Sequence, residues 1–277
     1  MSTLFFACGP KGVVSDATRA LKSDDFKEAR ALIDQALEEN EDAVNDPQIW
    51  KVIGDIGDKK FENQRTQELL GKSANQEAMY SGLMDSYAPY LKADSLGQLP
   101  DENGKVDNKV RKDIAATLRA NHPFFINGGL YHNEKNDFST ASKYFEIFWD
   151  IPKLDMFEDS KDGFAIDSTY QTIKYYSIIT AIQAEDHDRA LDLIKRAIDE
   201  PFIENEAYDE SDLYELLASE YMLLGDTTNY IEVLNVGASK FPHSQYFIPN
   251  LINEYIRAGK NDKALDYLDQ AIKNDPN

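Results

Sequence analysis

YMLLGDTTNYIEVLNVGASKFP at residues 221–242 and YIRAGKNDKALDYLDQAIKNDP at residues 255–276 are two copies of one pattern. Tyr221 answers to Tyr255, Gly225 to Gly259, Tyr230 to Ala264, Leu234 to Leu268, Gly237 to Ala271 and Pro242 to Pro276, each pair 34 residues apart. Apolar residues recur inside each copy at helical spacing, so each copy reads as helix, turn, helix. In the final unit Ile248, Leu251, Ile252 and Tyr255 form the apolar stripe of a first helix. Gly259 closes it, because glycine takes the left-handed conformation without a Cβ penalty. Asp262 is expected to cap the second helix. There the small Ala264 and Ala271 allow close approach while Leu268 fills the space between the helices. Asp275-Pro276 is the stop, since proline cannot continue the backbone ladder.

The same grammar runs towards the N-terminus with longer links. Tyr214, Leu217 and Ala218 lead into Tyr230 and Leu234. Tyr175, Ile178, Ala181 and Ile182 lead into Ala190, Ile194 and Ala197, and Phe125, Gly128, Gly129 and His132 lead into Ala141, Phe145 and Phe148. Ala190 to Tyr230 is 40 residues and Ala141 to Ala190 is 49, so additions are expected within residues 203–209 and 153–167. At the other end Ala17, Ala20 and Leu21 precede Ala29, Ile33, Ala36 and Leu37. Asp46-Pro47 then starts a helix carrying Trp50, Ile53 and Gly54. From Phe61 to Asn121 the period is lost. Helices are expected over about 75–94 and 108–120, with a turn-rich stretch at 97–107. Its Asn103-Gly104 pair makes residues 99–106 either a small hairpin or a plain loop.

On these residues the chain resembles the tetratricopeptide repeat family, over 169–277 and 13–57 above all. The Gly, Tyr, Ala and Pro spacing after Ser211 fits that family better than longer helical repeats. Ser177 and Ile178 stand where the family prefers Leu and Gly, and Tyr230 and Gly237 replace alanines. The resemblance implies an all-α fold, a right-handed superhelical solenoid of antiparallel helix pairs. Residues 13–277 are read as one array with an irregular segment at about 71–121, after a separate start at 1–12. It also implies a non-enzymatic scaffold that binds a protein or peptide on the concave face of its first helices. The helical offset places Tyr175, Ile179, Gln183, Glu215, Ser219, Met222, Tyr246, Asn250, Asn253 and Arg257 on that face. Tyrosine brings contact area and asparagine an amide that can hold a peptide backbone. The family's grip on C-terminal carboxylates uses a Lys, Arg and Asn cluster. Here only Arg257, Asn250 and Asn253 are present, so that activity is not expected.

Charge narrows the partners. With 50 acidic and 29 basic residues the formal net charge is −21, and the densest basic run, residues 109–112, has three cations. Nucleic acid is therefore not an expected partner, because phosphate binding needs a basic stripe. The acidity either serves solubility or speeds encounter with a basic partner. The run Leu4-Phe5-Phe6-Ala7-Cys8 resembles the tail of a bacterial lipoprotein signal, which makes Cys8 a lipidation candidate and the periplasm or outer membrane the expected location. The run is shorter than a signal core and lacks a basic start, so an intracellular protein with an incidental thiol is the alternative. With one cysteine there is no intrachain disulfide. At the other end Leu265, Leu268 and Ile272 call for cover, from a longer chain or by self-association.

No catalytic, metal or cofactor constellation emerges. His122, His132, His187 and His243 stand singly, and His132 with Glu134 is the nearest approach to a ligand pair. The acidic stretches 158–162 and 199–212 lack the ligand order of an EF-hand. Beside the scaffold stands a second reading, a ligand-binding lipoprotein in which Tyr- and Phe-rich helices form a pocket for a glycan or nutrient. Phe138, Phe145, Phe148 and Trp149 at helical spacing read more simply as core. An exposed aromatic platform would favour the glycan, and a groove with unpaired polar side chains the peptide.

Overall fold

A computed structural model describes residues 10–100, 104, 106, 108–158 and 163–274. Outside them lie Cys8 with its apolar run, Asn103, most of residues 158–162 and the Asp275-Pro276 stop. The described residues form twelve α-helices and no strand: α1 Pro10–Lys22, α2 Phe26–Glu39, α3 Pro47–Leu69, α4 Gln76–Gly97, α5 Asn108–Glu134, α6 Phe138–Asp150, α7 Ser168–Gln183, α8 His187–Asp199, α9 Glu210–Leu223, α10 Thr227–Lys240, α11 Phe247–Arg257 and α12 Asn261–Asn274. Two compact units result: Met1–Gly128 with Asp150–Gly163, and Gly129–Trp149 with Phe164–Asn277.

One turn recurs five times. Asp24, Asn136, Glu185, Gly225 and Gly259 all take positive φ, between 56° and 74°. In each case the next N–H bonds to the carbonyl five residues back. Asp25 reaches Ala20 (2.9 Å), Asp137 His132 (2.9 Å), Asp186 Ala181 (3.1 Å), Asp226 Tyr221 (2.9 Å) and Lys260 Tyr255 (2.8 Å). This bond closes the first helix by satisfying one of its last carbonyls. The next helix then starts at once, and in four of the five turns an aspartate supplies its cap. Asp25 accepts from the Glu28 N–H, Asp137 from Thr140, Asp186 from Arg189 and Asp226 from Asn229. At the fifth turn Lys260 occupies that place. Asp262, expected as the cap, is instead the second residue of α12.

The expected insertions fall where spacing put them, in the link from α8 to α9 and in the link from α6 to α7, which holds short 3-10 turns at Ile151–Lys153 and Asp155–Phe157. Two expectations are corrected. The helix placed at 108–120 continues as α5 to Glu134, through Pro123, whose ring is on the exposed side. Leu268 does not fill the space between α11 and α12, being 44% exposed. Tyr267 turns inward instead, stacking on Tyr255 with ring centroids 5.7 Å apart. Leu265 and Ile272 are exposed as well.

In the first unit α1 and α2 pack Ala17, Ala29 and Ile33 against Ile49 and Val52 of α3. The aperiodic stretch contains the antiparallel pair α3–α4, of 23 and 22 residues. Gly54 faces the Tyr90 ring, while Gly57 and Gly82 face each other so closely that a Cβ on either would lie 2.7 Å from the other's carbonyl oxygen. Its turn closes like the others, with Gly71 at φ 67° and the Lys72 N–H on the Gln67 carbonyl at 2.9 Å. Three more residues then precede the helix than in the other turns, and Asn75 becomes the cap. The second unit buries Tyr144, Phe145, Trp149 and Phe247 almost completely.

Candidate functional site

The second unit holds a cavity of about 250 Å³ lined by Leu130 and Asn133 of α5, Phe145 of α6, and Tyr176, Ile179, Thr180 and Gln183 of α7. Local sequence explains its floor. Gly129 has no side chain, and the Phe145 ring occupies the place a Cβ would take. The ring is thereby held low, with Tyr176 packed on it edge-on at 5.8 Å. The rim is partly apolar: Leu130 is 42% and Tyr176 38% exposed. The Thr180 hydroxyl is spent on the Tyr176 carbonyl (2.6 Å). By contrast, the side-chain amides of Asn133 and Gln183 have no hydrogen-bond partner among the described residues. The site thus offers an apolar recess flanked by two amides, each able to donate and to accept.

Of the ten residues expected on the binding face, Ile179 and Gln183 line this cavity. Four others are committed to hydrogen bonds. The Ser219 hydroxyl lies 3.0 Å from the Tyr246 hydroxyl, Asn250 donates to the Tyr246 carbonyl (2.7 Å), and Glu215 accepts from the Ser244 hydroxyl (2.9 Å). Burial raises the Glu215 carboxyl above the usual range, against the Ser244 bond and with the help of Asp212. Burial likewise raises Tyr246, opposed by its bond from Ser219. Tyr175 stacks on Tyr208 at 4.0 Å, and burial followed by the nearby Asp212 raises its hydroxyl too. Met222 and Asn253 are exposed, and Arg257 is exposed beside Glu254.

Leu130, Asn133, Phe145 and Tyr176 were not among the expected residues. A signal for one existed: Leu130 precedes Ile179 by the same 49 residues that separate Ala141 from Ala190. The two occupy one position on successive first helices, and a face count that began at α7 passes over it.

The link from α8 to α9 is anchored to α6 and α7. Glu200, its first residue, accepts from the Trp149 indole (2.9 Å) and from the ammonium of Lys174 (3.1 Å), a lysine only 1% exposed. Farther along, the Gln171 amide donates to the Tyr208 hydroxyl (2.5 Å). A buried cation is tolerable only when paired in this way.

His132 does not face Glu134. Its Nδ1 lies 3.0 Å from the Asp137 carboxylate and its ring stacks on Tyr144 at 5.2 Å. His187 meets Glu220 at 2.9 Å. Among the described residues no three His, Cys, Asp or Glu side chains converge as a metal site would require, and no helix is long and apolar enough to cross a membrane. No model of a known protein family matches the chain, and no curated protein matches it.

Proposed function

We propose that the protein is a non-enzymatic scaffold of tetratricopeptide type that binds an extended peptide segment of another protein on its first helices. The observation that carries this reading is the pair of unpartnered amides, Asn133 and Gln183, beside an apolar recess. Amides placed so suit the donor and acceptor of a passing peptide group, while the recess takes one apolar side chain. At about 250 Å³ the recess is smaller than the roughly 300–1,000 Å³ typical of small-molecule sites. The five equal turns support the repeat assignment, because each sets two helices antiparallel with the same closure. The glycan reading is disfavoured. Among the described aromatic side chains Tyr176 alone is more than a third exposed, so a stacking platform has one ring to offer.

The test is a positional-scanning library of fluorescein-labelled nonapeptides, read by anisotropy. The best pools should share Leu, Ile, Met or Phe at one position. Ile179→Arg should weaken them at least about tenfold, consistent with the roughly 1.5–3 kcal/mol of burying one such side chain. Absence of binding at millimolar peptide would sink the reading, whereas cello-oligosaccharide binding sensitive to Ile179→Arg would replace it with the glycan. The proposal also keeps the cell envelope as the location, on the run that ends at Cys8. Fractionation of cells making the intact gene product tests this part, and a purely cytosolic protein removes it.

A further inference from the structure

One half-buried carboxyl in the first unit lacks the partners its neighbours enjoy. Lys51, Asp55, Asp58 and Glu62 follow one another along one side of α3. The single cation is committed to Asp55, whose two oxygens lie 2.8 and 3.1 Å from the Lys51 ammonium. Asp55 also accepts from the Tyr90 hydroxyl of α4 at 3.0 Å. Asp94, on α4, receives two bonds from the Arg111 guanidinium at 2.7 and 2.8 Å. Asp58 has one neutral donor, the Asn121 amide of α5, at 2.6 Å. A carboxylate taken from water usually needs a cation or several donors. Asp58 instead faces the negative charges of Asp55 and Glu62.

We propose that Asp58 is a proton-operated latch across the α3–α5 seam, holding the two helices more firmly with its proton than without. Elsewhere in the seam Phe61 meets Phe124 edge-on at 5.3 Å and the Arg65 guanidinium covers the Phe124 ring at 4.4 Å, while the buried His122 follows Asn121 on α5. The groups around Asp58 are Lys51, Asp55 and Glu62 from α3, Tyr90 from α4 and Asn121 from α5. Burial is the main cause that raises its pKa from 3.8 to about 6, the Asn121 bond opposes it, and Glu62 and Asp55 add to it.

The sign follows. A carboxyl with a raised folded pKa binds its proton more tightly when the seam is closed. The gain is absent well above pH 6, grows as pH falls through 6 and is complete below 3.8. Between pH 7.5 and 5.0 the closing constant should rise about tenfold.

Amide hydrogen exchange along α5 in the full chain, corrected for intrinsic rates, reads this directly. Wild type should gain about tenfold protection between pH 7.5 and 5.0. Asp58→Asn should carry the low-pH protection at both values, and Asn121→Ala should move the midpoint upward. A tenfold dependence that persists in Asp58→Asn overturns the latch. Carboxyl carbon titration of wild type keeps the test independent of any variant's folding: a midpoint for Asp58 near 6 supports the latch, and one below about 4.5 overturns it.

Discussion

The long α3–α4 pair and the helix pairs of the second unit close their turns alike, yet glycine serves helix contact differently in the two. In α3–α4 two glycine backbones meet across the interface at Gly57 and Gly82. In the second unit the glycines receive rings, Phe145 of α6 over Gly129 of α5 and Phe247 of α11 over Gly237 of α10, as Gly54 of the long pair also receives the Tyr90 ring. A ring can shift by rotating, whereas a backbone moves only with its whole helix. The period is lost where the long pair departs, through its extra helical turns and the three residues added after its turn.

The contrast can be broken by substitution. Gly57→Val should cost the most, at least about 3 kcal/mol in urea denaturation, because the new atoms meet backbone. Gly237→Ala should cost less, about 1–3 kcal/mol, and a second change of Phe247→Leu should recover part of it. Equal costs at the two sites, or no recovery, would mean that ring and backbone contacts are equally rigid. Capping effects are smaller. Asp186→Ala should lose about 1 kcal/mol by orphaning the Arg189 N–H. Lys260→Asp should raise stability by about 0.5–1 kcal/mol, since it restores at the fifth turn the residue type that caps the other four. Thermal unfolding that shows a loss for Lys260→Asp would separate the last turn from the rest.

The last two hairpins were legible because Gly225 and Gly259 announce their turns. The earlier turns put Asp24, Asn136 and Glu185 into the same left-handed conformation. Glu185 is the least expected of these, since αL favours Gly, Asn and Asp. The cap at Asp262 was misplaced because a short acidic side chain near a helix start looks equally suitable one turn position later. Pro123 concealed the continuity of α5 for an equally local reason, as proline ends most helices. At the cavity, Ile179 and Gln183 came from the helical offset, but Leu130 and Asn133 lie on the first helix that carries Phe125, Gly128, Gly129 and His132, and the face count began only at Tyr175. Glu215, Ser219, Tyr246 and Asn250 were expected on the binding face, and each is half-buried and hydrogen-bonded. That Ser219 meets Tyr246, and Ser244 meets Glu215, depends on packing between hairpins, which no single helix encodes.

The two tryptophans fall one to each unit, and their surroundings differ in a way that makes the molecule its own spectroscopic instrument. Trp50 is half-buried, with its indole N–H on the Val44 carbonyl at 2.7 Å. Trp149 is sealed from water, with the Arg196 guanidinium 4.6 Å and the Lys174 ammonium 5.5 Å from its ring centroid. Trp50 should emit at the longer wavelength and respond to added iodide, while Trp149 emits to the blue and does not. Recording the two bands together in one denaturant series, with Trp50→Phe and Trp149→Phe to assign them, would follow each half of the chain without any label.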